Sequence, residues 1–184
     1  MQFEVEVDQD LLDERRRLGA DLWDEMWEGV LHMVPAPSGR HQRFLLKLGA
    51  ALLPLAEDRG LLLSVETNLE HHRDDYRVPD LAAYTREQAS DFGVWQRAEL
   101  VLEIVSPGDE SRKKLPWYAA QGVAEILLID RDTLTVELYV SRDGQPNRVE
   151  PPRSDVLGCA FERVDDDTFR VVTDAGTTEI TLMI

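Results

Sequence analysis

The sequence predicts a mixed α/β fold: a central mixed β-sheet flanked by helices, with β additions at its N- and C-terminal ends. Three observations predict it. Apolar runs of strand length, LVLEIV and EILLI among them, are separated by turn-rich stretches. Two segments, 41–60 and 111–121, carry helical spacing instead. The tail, 151–184, alternates apolar and polar residues around D-D-D and D-A-G turns.

In chain order, residues 9–18 read as a short charged helix, its DERRR run a charged helix face. EGVLHMV, 28–34, reads as a strand ended by PAPSG and its two prolines. The segment 41–60 reads as an amphipathic helix with Phe44, Leu45, Leu48, Ala51, Leu52 and Leu55 on one face. Ser38 is its N-cap, Gly60 its stop and Pro54 a bend. LLLSVETNLEHH reads as one strand, and YRVPDLAAYT, after an RDD turn, as the next. Residues 85–98 read as a surface connection with a short helix at most. AELVLEIVSP is the third strand, followed by a helix over 111–121 that ends at Gly122. VAEILLIDRD and LTVELYVSRDG are the fourth and fifth strands, joined at DRDT. The third and fourth strands flank a helix, as in a right-handed crossover.

With 184 residues, 43% of them hydrophobic, the chain suits a single domain, 1–184, with a core at about 23–140 and a β-rich extension at about 151–184. No stretch approaches the roughly 18–20 apolar residues of a membrane span. The N-terminus lacks the profile of a signal peptide, so a cytoplasmic location without membrane contact is expected. One cysteine, Cys159, permits no internal disulfide and reads as a packed small residue. A formal charge of −16 repels polyanions at long range and argues against non-specific coating of nucleic acid. It leaves room for a site where a divalent cation supplies the positive charge.

Glu103 poses the functional question. Alternation puts Val101, Glu103 and Val105 on one face of the strand, and Leu100, Leu102 and Ile104 on the other. With both faces apolar the strand is central, and a carboxylate there needs a cation, a donor network or a proton. A second carboxylate, Asp80, follows Pro79 in another apolar strand, where the proline marks a strand start or edge. Lys114 lies eleven residues after Glu103, and Lys114, Tyr118 and Gln121 are spaced to share one helix face. Lys113 falls off that face and reads as solvated; Pro116 either begins the regular helix or kinks it. Two acids on neighbouring strands suit Mg²⁺, which takes one or two carboxylates plus waters and phosphate oxygens. The lysine then positions or deprotonates a water, or stabilises developing charge.

At these residues the chain resembles the PD-(D/E)xK nuclease superfamily. More narrowly, it is similar to the Uma family (Uma-two) of bacterial endonucleases. The matching segments are WEGVLHMVPAPSGRHQR, VPDLAAY, LVLEIVSPGDESRKKLPWYAAQGVAEILLID and TVELY. The resemblance implies a restriction-endonuclease-like core, Mg²⁺ (or Mn²⁺) as cofactor, DNA as partner and a homodimer. It implies Asp80 and Glu103 as metal ligands. The superfamily's lysine, two residues after the glutamate, is Val105 here, and the resemblance moves its role to Lys114. It also marks Glu28 as an assisting acid and His41 as a phosphate contact, with Gln121 a further substrate contact on the helix face. The paired histidines of EHHRDD read as a solvated turn, and Trp23, Trp27, Trp95 and Trp117 as packing residues rather than base-stacking platforms. Three functions stand: a Mg²⁺-dependent endodeoxyribonuclease, a catalytically silent binding or scaffold protein on the same fold, and a metal-dependent hydrolase of a small phosphate ester.

Overall fold

The computed structural model of the protein describes residues 8–89 and 94–181. α1 (Gln9–Leu18) and a 3₁₀ turn (Ala20–Trp23) lead into β1 (Glu25–Trp27) and β2 (Val30–His32). α2 (Gly39–Asp58) follows, with β3 (Leu62–Val65), β4 (Asn68–His72), β5 (Asp75–Arg77) and β6 (Leu81–Tyr84) after it. Next come β7 (Val94–Trp95), β8 (Leu100–Val105), α3 (Ser111–Ala120), β9 (Glu125–Asp130), β10 (Val136–Arg142) and β11 (Gln145–Val149). The tail supplies β12 (Arg153–Ser154), β13 (Cys159–Arg163), β14 (Thr168–Thr173) and β15 (Gly176–Thr181).

The central sheet has six strands in the order β11-β10-β9-β8-β6-β3. β8 and β9 run parallel, as the α3 crossover requires, and the other pairs are antiparallel. Its two faces carry separate cores. Leu100, Leu102 and Ile104 join Phe44, Leu45, Leu48 and Leu52 of α2, and the tail sheet closes this core with Phe161, Phe169 and Ile180. Val101 and Val105 join Leu115, Tyr118 and Ala119 of α3 on the other face. Glu103 therefore points to the α3 side. Cys159 is packed in the α2-side core, fully buried.

The expected helices form. Ser38 caps α2 by accepting from the His41 N–H, and Gly60 follows the helix at φ 71. α2 runs through Pro54. α3 begins at Ser111, so Pro116 lies inside it and costs one i→i−4 hydrogen bond. DERRR divides by face: Arg15 turns inward onto Asp24, while Arg16 and Arg17 stay exposed in pairs along the helix. The connection 85–98 contains β7 where a surface loop was expected; its residues 90–93 lie outside the described residues.

The strand expectations fail in an instructive way. The stretch 61–72 is two strands, β3 and β4, and 76–84 is likewise β5 and β6. β3 and β6 belong to the central sheet; β4 and β5 belong to a five-stranded sheet ordered β2-β1-β5-β4-β7. Both runs break side by side: Glu66 takes φ 50, and its N–H donates to the Asp80 carbonyl at 3.2 Å. Pro79 brings no N–H to a ladder, so the neighbouring run changes sheets at Pro79–Asp80. The expected strand at 28–34 is a hairpin: β1 and β2 join through Glu28 (φ 49) and Gly29 (φ 85), both left-handed as a tight hairpin turn demands.

The four-stranded tail sheet, β12-β13-β14-β15, is anchored to the core by one buried acid. Glu125, 4% exposed at the start of β9, accepts from the Ser154 hydroxyl and from the Asp155 and Val156 N–H groups at 2.7 and 3.2 Å. Removing it leaves the buried Ser154 hydroxyl without its acceptor. Glu125→Ala is expected to lower stability by about 2–4 kcal/mol. The check is urea unfolding followed by both fluorescence and circular dichroism.

Candidate active site

The break between the two sheets opens a cleft of about 880 Å³. Four elements each bring one ionisable side chain to it: Glu25 from β1, Asp80 from the strand break, Glu103 from β8 and Lys114 from α3. All but Asp80 are buried below a tenth of their surface.

Lys114 ties the set together. Its Nζ donates to Glu25 Oε1 at 2.7 Å and to Glu103 Oε1 at 3.0 Å. Tyr118, one helical turn further along α3, donates its hydroxyl to the same Glu103 oxygen at 2.5 Å. The second Glu103 oxygen makes no hydrogen bond among the described residues. Burial pushes the Glu103 carboxyl up to about 8, and the Asp80 and Glu25 charges add to that, against the pull of Lys114 and Tyr118. Burial works against the Lys114 charge, but Glu103 and Glu25 outweigh it and hold the ammonium above the ordinary lysine range. The Tyr118 phenol is raised well above its usual value, by burial first and then by Glu103.

Asp80 is held from two sides. The Ile104 N–H donates to Oδ2 at 2.6 Å, and Oδ1 pairs with His41 Nε2 at 2.8 Å. Burial opposes the His41 charge, yet the hydrogen bond and charge of Asp80 raise its pKa above 6.5. Neither Asp80 nor Glu103 is paired with an arginine among the described residues.

The structure brings Asp80, Glu103, Lys114 and His41 together, with the His41 ring on Asp80. It does not bring Glu28 or Gln121. Glu28 sits exposed on the hairpin turn, where its N–H binds Asp75 Oδ1 at 3.2 Å, and Gln121 caps the far end of α3; neither lines the cleft. The acid from this region is Glu25, three residues earlier. Its Oε1 also accepts from the Val78 N–H at 2.8 Å, and its Oε2 from Trp27 Nε1 at 2.7 Å. The signal was the Glu28-Gly29 pair: read as a turn, it starts the strand earlier and points Glu25 and Trp27 the same way.

The Trp27 and Trp117 rings sandwich the Arg77 guanidinium, 4.6 and 4.4 Å from their centroids. Trp117 Nε1 donates to Asp75 Oδ2 at 2.7 Å, and Arg77 Nη1 donates to Oδ1 at 2.9 Å. These tryptophans pack as expected, and so does Trp95, stacked on Tyr84 at 3.9 Å. Trp23 and Trp27 both line the cleft. In EHHRDD the histidines are exposed, while Asp75 is buried in this network.

A family model described as "Putative restriction endonuclease" (Uma2) matches residues 14–162. The chain belongs to the Uma2 family. A crystal structure titled as "a putative nuclease belonging to DUF820", from Anabaena variabilis ATCC 29413, shares the fold with a TM-score of 0.60 at 18% identity, over 77% of this chain and 81% of that one. A cryo-EM structure of a DrdV–DNA complex aligns with 59% of this chain and 11% of that one, at 17% identity and a TM-score of 0.35. No curated protein matches the chain. The Uma2 chain has the expected mixed α/β, restriction-endonuclease-like architecture. At the superfamily's lysine position, Val105 is 4% exposed and packed in the core beneath α3. No described helix is long and apolar enough to cross a membrane.

The donor set fits a divalent cation. No group of three or more His, Cys, Asp or Glu side chains forms a ready-made metal cluster among the described residues. Two carboxylates facing one open cleft, with waters and substrate oxygens completing the shell, match the habit of Mg²⁺. Burial first, and the Asp80 and Glu25 charges after it, raise the Glu103 pKa, and a cation in the cleft would offset that pair of charges.

That pKa fixes a pH dependence. With a folded value near 8 against an ordinary 4.5, Glu103 keeps its proton in the native state after the unfolded chain has lost it. Stability of the metal-free protein is then expected to fall as pH rises from 4.5 to 8. His41 adds a loss of the same sign only above 6.5, and the carboxyls with lowered pKa values, Asp75, Asp130 and Glu137, act below this window. Glu103→Gln should flatten the slope between 4.5 and 6.5, measured as the urea midpoint against pH.

Proposed function

We propose that this Uma2 protein is a divalent-cation-dependent nuclease that hydrolyses phosphodiester bonds in DNA. One observation carries the reading: Asp80, at the strand break, and Glu103, on β8, face a single cleft beside Lys114, and their charge is not cancelled by arginine among the described residues. Family membership and the fold support it.

In this reading Asp80 and Glu103 hold Mg²⁺, or Mn²⁺ in its place. The bound cation supplies polarisation of the phosphate and a lowered pKa for a water. The chain's own groups do the rest. His41 and the Ile104 N–H fix the Asp80 carboxylate, while Tyr118 and Lys114 fix one oxygen of Glu103 and leave the other for the cleft. An ammonium has three protons, and two of those on Lys114 point to Glu25 and Glu103. The third is available to a phosphate oxygen or to the attacking water. Glu103 and Glu25 favour the charged form of Lys114, which suits an electrostatic donor better than a general base. Glu25 holds that ammonium in place.

The net charge of −16 favours a second reading, a silent binding protein on the same fold. Metal titration separates the two: Mn²⁺ binding that is lost in Asp80→Asn and Glu103→Gln belongs to the nuclease alone.

With Mg²⁺ or Mn²⁺ and a panel of DNA forms, Asp80→Asn, Glu103→Gln and Lys114→Met are each expected to lower cleavage by at least about 100-fold. Glu28→Gln and Gln121→Ala should stay within about threefold of the parent, since neither side chain reaches the cleft. Full cleavage by Glu103→Gln, or cleavage in excess EDTA, overturns the proposal.

A further inference from the structure

The cleft walls are unlike those of a site that grips a duplex. Duplex DNA carries one negative charge per about 1.7 Å of axis, and its binders answer with free Lys and Arg. Here the cations in and beside the cleft already have acidic partners, and Lys114 has one proton left for a phosphate. Lys114 is bound to two glutamates, Arg131 and Arg40 both pair with Asp132 at 3.4 and 3.2 Å, and Lys113 pairs with Glu110. Asp109 and Glu110 add negative charge to the rim.

Part of the lining is apolar. Trp23, half-buried in the 3₁₀ turn, and the segment Met33-Val34-Pro35-Ala36-Pro37 line the same cleft, and Met33 is 42% exposed. Two prolines hold this segment in a stiff, non-pairing conformation, so the wall is formed before any ligand arrives. The acid–lysine cluster lies in the same cleft. Its volume, about 880 Å³, falls in the range of pockets that take small organic groups, about 300–1,000 Å³.

Resting on the nuclease reading above, we propose that the substrate enters this cleft as an unpaired nucleic-acid strand, with a base stacked on Trp23 and the Met33–Pro37 wall and its phosphate turned towards Asp80, Glu103 and Lys114. Stacking on an apolar face then supplies the affinity that counter-ion release supplies elsewhere. This reconciles a phosphodiester substrate with a chain of charge −16. The strand needs few cations because one phosphate at a time meets the cleft, and its sugar and base meet carbon.

Binding is measured by anisotropy of a labelled oligonucleotide, single-stranded or annealed to its complement, with Ca²⁺ replacing Mg²⁺. Cleavage of both forms is measured separately with Mg²⁺. The single strand should bind at least about tenfold more tightly than the duplex, with little weakening as salt rises. Trp23→Ala should weaken single-strand binding by about tenfold with its urea unfolding midpoint unchanged, and Trp23→Phe should restore binding to within about threefold. Equal or tighter duplex binding, or an unchanged affinity in Trp23→Ala, overturns the inference. Glu103-dependent cleavage alongside either of those results overturns the strand preference and leaves the nuclease reading standing. Single-strand binding as expected without cleavage does the reverse.

Discussion

The ion cluster of Lys114 with Glu25 and Glu103 is the constraint on which the molecule is built. A charge at this depth costs several kcal/mol unless it is answered, and the answer has to come from side chains fixed in place. α3 supplies the ammonium, β8 one carboxylate and β1 the other, so the helix, the central sheet and the hairpin meet at a single nitrogen. Much of the surrounding architecture keeps these groups in register: the parallel β8–β9 pair around α3, the Tyr118 hydroxyl on Glu103, and the Trp27 and Val78 N–H groups on Glu25. The cluster also leaves more acid than base in the cleft once Asp80 is included. The cation proposed for the site would offset that imbalance.

Much of this was legible in the sequence, because the strongest features are periodic. The six residues of β8 alternate around Glu103, and the structure assigns the two sets to two cores, one under α2 and one under α3. The spacing of Lys114 and Tyr118 put them on one helix face, and both reach Glu103. What stayed hidden is aperiodic. A strand that leaves one sheet and enters another looks like one long strand, because only two or three residues separate its halves, Glu66-Thr67 in one run and Val78-Pro79-Asp80 in the other. Glu66 at positive φ has no compositional signature, and Pro79, read as a strand start or an edge, lies between the end of β5 and the start of β6.

The Glu28 reading failed for a related reason. Glu25 and Glu28 are three residues apart in a short acidic stretch, and which of them faces inward depends on where a two-residue turn begins. Shifting a strand's phase by one residue exchanges its faces. Gln121 failed differently: its helical spacing was right, but the helix ends there and the side chain falls past the edge of the cleft. Periodicity assigns a face of a helix, not how far along that face a neighbour extends.

The paired break at Glu66 and Asp80 has a consequence for how such chains diverge. Two polypeptide runs cross from one sheet to the other side by side, joined at that point by a backbone hydrogen bond. Gaining or losing one residue in either run would rotate its downstream half and dissolve the pocket's geometry. An insertion or deletion at these two positions would therefore misplace the cleft whichever side chains occupied them, so chain length there is a structural requirement in its own right.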